Sequence, residues 1–332
     1  MASYGNVPTS IGSISGSSIK MGSGPYVEGL TVIIPTYNFI CVPLVQELCR
    51  QCRQYLSDGH YEILVYDDAS TDLSTLTANR AIHDLPGCTF LENPFNKGRS
   101  RLRNQLIRDA RFQYILIIDS DAEVFSPSFI QNYMEVIADY DIVIGGIQTS
   151  ERYRRSDNLL RFRYEMAANR SIRQLDYCNQ HPYWHFSTFN AMFHTKVFQQ
   201  AMYNETITGY GFEDTLLGVE LEKAGFRAIH INNPLIHTGI DSTDSFLEKT
   251  EESLQNLFQL YDAIGSYSTL CRWYERLKRW HIHRIMALWH TWAEEWERKH
   301  LYGKHPSLRV FNLYKLGRFT QIMVENKKRP HQ

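Results

Sequence analysis

Between residues 30 and 146 the chain repeats one pattern. A short apolar run ends in a polar cluster, and a stretch follows whose apolar positions recur every three or four residues. The runs are LTVIIP from 30, YEILVY from 61, CTFLEN from 88, YILIID from 114 and DIVIGG from 141. Helical stretches lie between them, from about Pro43 to Leu56, through Leu76 and Ile82, from Arg99 to Arg111 and from about Pro127 to Ala138. Near-continuous apolar strands alternating with helices predict an α/β domain, a mostly parallel sheet with helices on both faces. In such sheets ligands bind beyond the carboxyl ends of the strands.

Those ends carry polar clusters: Pro35-Thr36-Tyr37-Asn38, then Asp67-Asp68 to Asp72, then Asn93 to Gly98, then Asp119-Ser120-Asp121. Acids gathered on one edge repel one another unless a divalent cation sits among them. Asp119 and Asp121 are two apart on an extended chain and face the same side, so both can address one ion. Ser120 alternates away from it, and Glu123 falls behind or at the surface. Arg99 and Arg103, four apart, share a helix face, whereas Arg101 and Arg108 read as solvated.

Composition adds few exclusions. With 332 residues, 43% apolar and 21% charged, the chain can bury a full core in one large domain plus an appendage, or in two domains. No apolar run approaches the ~20 residues of a membrane-spanning helix. Residues 1 to 27 are Ser- and Gly-rich and read as a flexible tail or cloning remnant, with Met21 an alternative start. Six cysteines are scattered; Cys49 and Cys52 have metal-like spacing, but no second pair follows, and they read as ordinary helix residues. Reduced thiols and no export signal point to the cytoplasm. The net charge of −1 conceals an asymmetry: residues 271 to 332 hold 14 Lys and Arg against 5 Asp and Glu, leaving 21 against 31 before them. That same region holds five of the six Trp.

The strand-end motifs together resemble the family 2 glycosyltransferases of GT-A fold. TVIIPTYN resembles the family's opening strand, LVYDDASTD its second nucleotide-binding motif and NKGRSRLRNQ its Asn-x-Gly segment. IIDSDAEV is similar to its Asp-x-Asp metal motif, and GYGFEDTLLGVELEKAGF to the acidic motif that carries its base. The match runs over about residues 28 to 240, in family order. It implies a Rossmann-like catalytic domain over 28 to 245, a helical extension over 246 to 332, a nucleotide-sugar donor (a UDP-sugar foremost), Mn²⁺ or Mg²⁺, and transfer with inversion.

The resemblance also implies roles. Pro35, Thr36, Tyr37, Asn38, Asp67, Asp68, Asn96, Gly98, Arg99, Arg103, Asp119 and Ser120 would hold the nucleotide sugar; the residues themselves also suit an Asx turn after the strand, with one of Asp67 and Asp68 turned inward. Asp119, Asp121 and His237 would hold the metal. Asp214 would be the base, with Glu213 on acceptor or donor sugar, and Trp184, His185 and Tyr210 would border the acceptor. The acceptor would be a glycan or lipid-linked hydroxyl in the synthesis of a cell-surface polysaccharide or glycoconjugate. Processive members carry Gln-x-x-Arg-Trp; here Thr269 stands where the Gln should precede Arg272-Trp273, which favours a single-addition enzyme.

Two other readings compete. A sugar-1-phosphate nucleotidyltransferase wants a Gly-rich phosphate loop after the first strand, which PTYN is not. A non-catalytic sugar- or membrane-binding scaffold would be expected to lack Asp119, Asp121 or Asp214. Near the C-terminus, Leu277, Trp280, Ile285, Leu288, Trp292 and Trp296 fall near a helical stripe. It reads either as a helix packed on the domain or as an amphipathic helix on an anionic membrane, peripheral on the inner face. No nucleic-acid motif accompanies the basic excess.

Overall fold

The computed structural model describes residues 27–172, 175–184 and 186–326. In chain order the first elements are β1 (Val27–Thr36), α1 (Val42–Tyr55), β2 (Tyr61–Asp67), α2 (Leu73–Asn79), β3 (Cys88–Glu92), α3 (Arg99–Asp109), β4 (Phe112–Ile118), β5 (Ala122–Glu123), α4 (Phe129–Ile137), β6 (Ile142–Ile144) and β7 (Ile147–Thr149). Then come α5 (Leu159–Ile172), α6 (Leu175–Gln180), β8 (Asn190–His194), α7 (Glu213–Lys223), β9 (Ala228–His230) and β10 (Leu235–His237). Five C-terminal helices follow: α8 (Thr243–Gln259), α9 (Tyr261–Ile264), α10 (Thr269–Arg279), α11 (His283–Leu301) and α12 (Leu308–Asn326).

Seven strands form one sheet in the order β3-β2-β1-β4-β8-β6-β9. β1 to β4 are parallel where they pair, and β8 runs antiparallel between β4 and β6. The unbroken apolar runs now have a cause, because alternate residues feed cores on opposite faces. In β1, Leu30, Val32 and Ile34 join Leu44, Leu48 and Tyr133 on one face, while Ile33 joins Leu102, Leu106 and Leu217 on the other. A second sheet, β5-β10-β7, sets His237 opposite Ala122 and beside Thr149. That register brings the end of β10 against the Asp119–Asp121 segment.

Two expected helices are shorter than read. α3 stops at Asp109 because the Glu62 carboxylate takes the Arg111 N–H at 2.9 Å and its Nε at 2.7 Å, which turns the chain into β4. The sequence also reads as a basic helical stretch from Tyr153 to Arg173 over the acceptor side, but α5 begins only at Leu159. Before it, the Asn158 side chain closes a turn, accepting from the Arg155 N–H and donating to the Tyr153 carbonyl. The N-terminal tail, Arg173 and His185 lie outside the described residues.

The C-terminal helices share cores with the sheet domain. Leu254, Leu257, Tyr274, Phe319 and Ile322 pack with Leu216 and Val219 of α7, and Phe246, Leu301 and Phe311 with Leu160 of α5.

The floor beneath the strand ends is tied by a buried hydroxyl. Tyr133 donates to Asn190 Oδ1 at 2.6 Å, and Asn190 in turn donates to the Gly146 and Asn233 carbonyls. Tyr133→Phe strands the Asn190 oxygen and should lower stability by about 1–3 kcal/mol. Urea denaturation should show an earlier midpoint with unchanged slope.

Candidate active site

The loops after β1, β2 and β3 interlock through short polar side chains. Asn38 takes up a left-handed backbone at φ 50°, and its Oδ1 accepts from the Thr71 and Asp72 N–H groups. Asp67 is fully buried, and its carboxylate caps the Ser70 N–H and hydroxyl. Asp68, also buried, receives the Lys97 N–H at 2.7 Å and the Gly98 N–H at 3.0 Å. It thereby fixes the entry to α3, and Gly98 at φ 81° supplies the left-handed turn there. Asn96 closes the same loop on the Asp68 carbonyl and the Gly98 N–H. Both acids are thus spent on local backbone donors, a role the sequence allowed alongside ligand contact. Thr36 is buried, Pro35 and Ser120 half-buried, and Tyr37 and Asn38 exposed at the rim.

The centre of the site is Arg103. α3 carries it inward until it is 3% exposed, and its guanidinium stacks 5.4 Å from the Tyr203 ring. Nη2 donates to Asp119 Oδ1 at 2.6 Å, while Nη1 lies 3.7 Å from Glu213 and 3.9 Å from Asp214. Burial opposes the positive charge, but Asp119, Asp214 and Glu213 outweigh it and hold the arginine pKa well above its ordinary value. Arg99, one turn earlier and half exposed, lies 3.9 Å from Glu213 and 4.8 Å from the Tyr210 ring. The shared helix face read from the sequence therefore meets the acidic motif of α7.

Glu213 and Asp214 open α7 behind Phe212, whose φ is 71°. Backbone held in this region at a loop that meets the site is strain the surrounding contacts must maintain. Their environments differ. Glu213 is 9% exposed in its side chain and accepts the Gly211 N–H; burial, and then the charge of Asp214, push its carboxyl above the usual range. Asp214 is 23% exposed and is gripped by Thr188, through its N–H at 2.8 Å and its hydroxyl at 2.7 Å. Tyr203 completes the chain by donating to that hydroxyl.

Asp121 meets His237 instead. His237 Nε2 is 3.0 Å from Asp121 Oδ2, and Nδ1 is 2.9 Å from Glu165, which α5 delivers with Arg161 behind it at 2.5 Å. Burial would lower the imidazole pKa, yet the two carboxylates outweigh it and raise it to about 10. Gly239 allows this approach, because a Cβ there would stand 2.6 Å from Asp121 Oδ2.

Among the described residues no three acidic, His or Cys side chains converge as a formed metal cluster. As placed, Asp119 turns to Arg103 and Asp121 to His237. The donor set still suits a hard divalent cation. Two carboxylates and an imidazole stand at adjoining strand ends, and Glu165 fixes the ring from behind, the usual support of a ligating histidine. An ion there would take the place of the Nε2 proton.

Across from Glu213, Tyr210 lies between Arg99 and Lys249 as a half-buried ring. Trp184 is 43% exposed and stacks on His181, with Arg272 5.6 Å from its ring. Sequence reasoning missed Glu165, Thr188 and Tyr203. Each is an isolated residue, with no motif to distinguish it from ordinary helix or strand polar groups.

This site, on this sheet, places the chain among the glycosyltransferases. It belongs to glycosyl transferase family 2, whose family model matches residues 31–201, just over half of the chain. It is 25% identical over 235 residues to the chondroitin synthase of Escherichia coli, covering 61% of this chain and 34% of that protein. It is 29% identical over 110 residues to a poly(ribitol-phosphate) beta-glucosyltransferase of Bacillus spizizenii, covering 31% and 16%. The chain therefore spans about a third or less of these relatives. A solved mannosyltransferase from Pyrobaculum calidifontis, in complex with GDP-Man and Mn²⁺, superposes with a TM-score of 0.50 at 17% identity, covering 73% of this chain and 67% of the other. The fold is GT-A, with a C-terminal helical region added.

Removing the shared cation should expose how far the site depends on it. Arg103→Leu leaves three carboxylates facing one another and should destabilise the protein by about 3–5 kcal/mol, the usual cost of stripping one partner from a buried ion cluster. Thermal unfolding of the variant at pH 5 and pH 8 checks the cause: the loss should shrink at the lower pH, where the Glu213 carboxyl, already raised by burial and by Asp214, takes up a proton more readily.

Proposed function

We propose that the protein transfers a sugar from a nucleoside-diphosphate donor, a UDP-sugar in our reading, to a hydroxyl of a glycan or lipid-linked acceptor. The observation that carries this is the meeting of Asp119, Glu213 and Asp214 on buried Arg103, beside the Asp121–His237 pair, at the carboxyl ends of β1, β2 and β4. The three curated relatives are named for chondroitin, poly(ribitol phosphate) and colanic acid, which supports a polymeric acceptor of cell-surface type.

In this reading the diphosphate lies by Asp119, Asp121 and His237, with the nucleoside over the loops of Pro35 to Asn38 and Asn96 to Arg99. Mn²⁺ or Mg²⁺ held by those three residues would neutralise charge on the leaving diphosphate. Arg103 holds Asp119 in place and balances the acids. Asp214 is the base: it is the more exposed of the two α7 carboxylates, and Thr188 holds it in one orientation. It takes the acceptor hydroxyl proton as that oxygen bonds to the anomeric carbon. The bond from that carbon to the diphosphate oxygen breaks, and the configuration inverts. Glu213, buried and inclined to hold a proton, binds sugar hydroxyls from beside it. Trp184 and Tyr210 border the acceptor.

Asp214→Asn keeps the side chain's shape and removes its basicity, so turnover should fall about 10²–10⁴-fold. Donor affinity should hardly change, since the diphosphate contacts lie elsewhere. Calorimetry with UDP- and GDP-sugars plus initial rates would test this. A variant that loses donor affinity but keeps saturating turnover would pass the role to Glu213.

Asp121→Asn should instead weaken metal and donor binding together. Chelation with EDTA should abolish transfer by the natural protein, and Mn²⁺ or Mg²⁺ should restore it. Full activity in EDTA would remove the metal from this mechanism.

A further inference from the structure

α11 turns an apolar stripe to water. Its inner stripe against α12 mixes Ala287 and Leu301 with His290 and Glu297, the last two fully buried and 2.7 Å apart. Gly317 of α12 makes room for this, because a Cβ there would stand 2.6 Å from the His290 ring. The outer stripe carries Ile285, Leu288, Trp292 and Trp296, exposed by 65%, 62%, 82% and 56%. Their spacing of three and four residues keeps them on one face. Trp280 and Trp273 extend the apolar surface onto the exposed side of α10. A helix bathed in water on its outer side carries polar residues there. A contiguous apolar surface of this kind marks a contact with something other than water.

What surrounds the stripe indicates the occupant. Arg272, Arg276, Arg279, Arg284 and Lys299 are exposed around it, and the Arg276 guanidinium lies 4.7 Å from the Trp273 ring. Among the outward residues of α11, Glu295 is the exposed acid opposing them. Residues 271 to 332 carry 14 basic against 5 acidic side chains. Two copies meeting through this face would bring like charges together, whereas an anionic bilayer meets both the charge and the tryptophans. Indole rings sit well at the headgroup level, where one edge is apolar and the N–H is wet. No helix among the described residues is long and apolar enough to cross a membrane, so the contact is a surface one.

We propose that the outer face of α10 and α11 docks on anionic lipid. Ile285, Leu288, Trp292 and Trp296 enter the headgroup–acyl boundary, and the flanking arginines meet lipid phosphates. The same face reaches the acceptor side, because Arg272 of α10 lies against Trp184, four residues before Thr188 and its grip on Asp214. Docking would bring a membrane-borne acceptor to that side, a consequence that rests on the glycosyltransferase reading above. The docking itself does not.

Flotation of the full chain with vesicles tests it. The natural protein should float with phosphatidylcholine–phosphatidylglycerol vesicles and stay in solution with phosphatidylcholine alone. At about 1 M salt, where the screening length is about 3 Å, flotation should weaken. Leu288→Gln with Trp292→Gln, both outward, should cut lipid partition at least tenfold with unchanged thermal unfolding and unchanged donor hydrolysis. Arg276→Gln with Arg279→Gln should lose the preference for anionic over neutral vesicles. Equal flotation of the natural and Leu288/Trp292 forms would overturn the proposal. So would no flotation at all, or light scattering that shows a dimer abolished by those substitutions while neither form floats. Because donor hydrolysis is read separately, its loss would count against the catalytic reading and leave the docking result intact.

Discussion

One buried arginine organises this candidate active site. Three carboxylates from two separate elements cannot share a small volume without a positive charge, and Arg103 supplies it from the interior side of α3. Its own burial is tolerable only because those acids surround it. The guanidinium and the acids are thus each conditional on the other, and α3, the end of β4 and the start of α7 are fixed relative to one another by that mutual need. Tyr203 backs the arginine with its ring and steadies Thr188 with its hydroxyl, so one residue serves both the cation and the grip on Asp214.

The second constraint is register. The pairing of β10 with β5 and β7 puts His237 where its two nitrogens face acids from opposite directions, Asp121 in front and Glu165 behind. A slip of one residue would turn the imidazole to the other face of this small sheet. Gly239 permits the approach and Glu165 fixes the ring, so the Asp-x-Asp segment sits inside a frame assembled from two distant segments of the chain. Meanwhile Asp67 and Asp68, the most conspicuous acids in the sequence after that motif, hold backbone donors of the loops after β2 and β3.

The helical region is part of the same folded body on one side and unlike it on the other. α8 and α12 close over α5 and α7 with ordinary apolar packing. α11 then buries His290 and Glu297 and turns its tryptophans outward. The sequence left packing on the domain and contact with a membrane as alternatives; the packing is present, and the exposed face of α10 and α11 carries the docking proposal.

Local pattern was enough to read the parallel sheet, the order of its helices and the polar clusters at its strand ends. Apolar runs such as LTVIIP are dictated by burial on both faces, and that constraint is written into consecutive residues. Asp119 and Asp121 were legible as a pair on one side of an extended segment, whereas Glu213 and Asp214 came to notice through the resemblance of their segment to the family's acidic motif. The ends of α3 and α5 were not, because Glu62 and Asn158 set them through hydrogen bonds that propensity does not contain. Neither were Glu165, Thr188 and Tyr203, single polar residues whose partners lie 72, 26 and 15 positions away. The same holds for Arg103, legible as one of two arginines on a helix face but not as the one enclosed by acids. A sequence specifies which chemistry each strand end presents; which charges are buried together is decided when the elements pack, because only then does desolvation force every buried charge to find its counterpart.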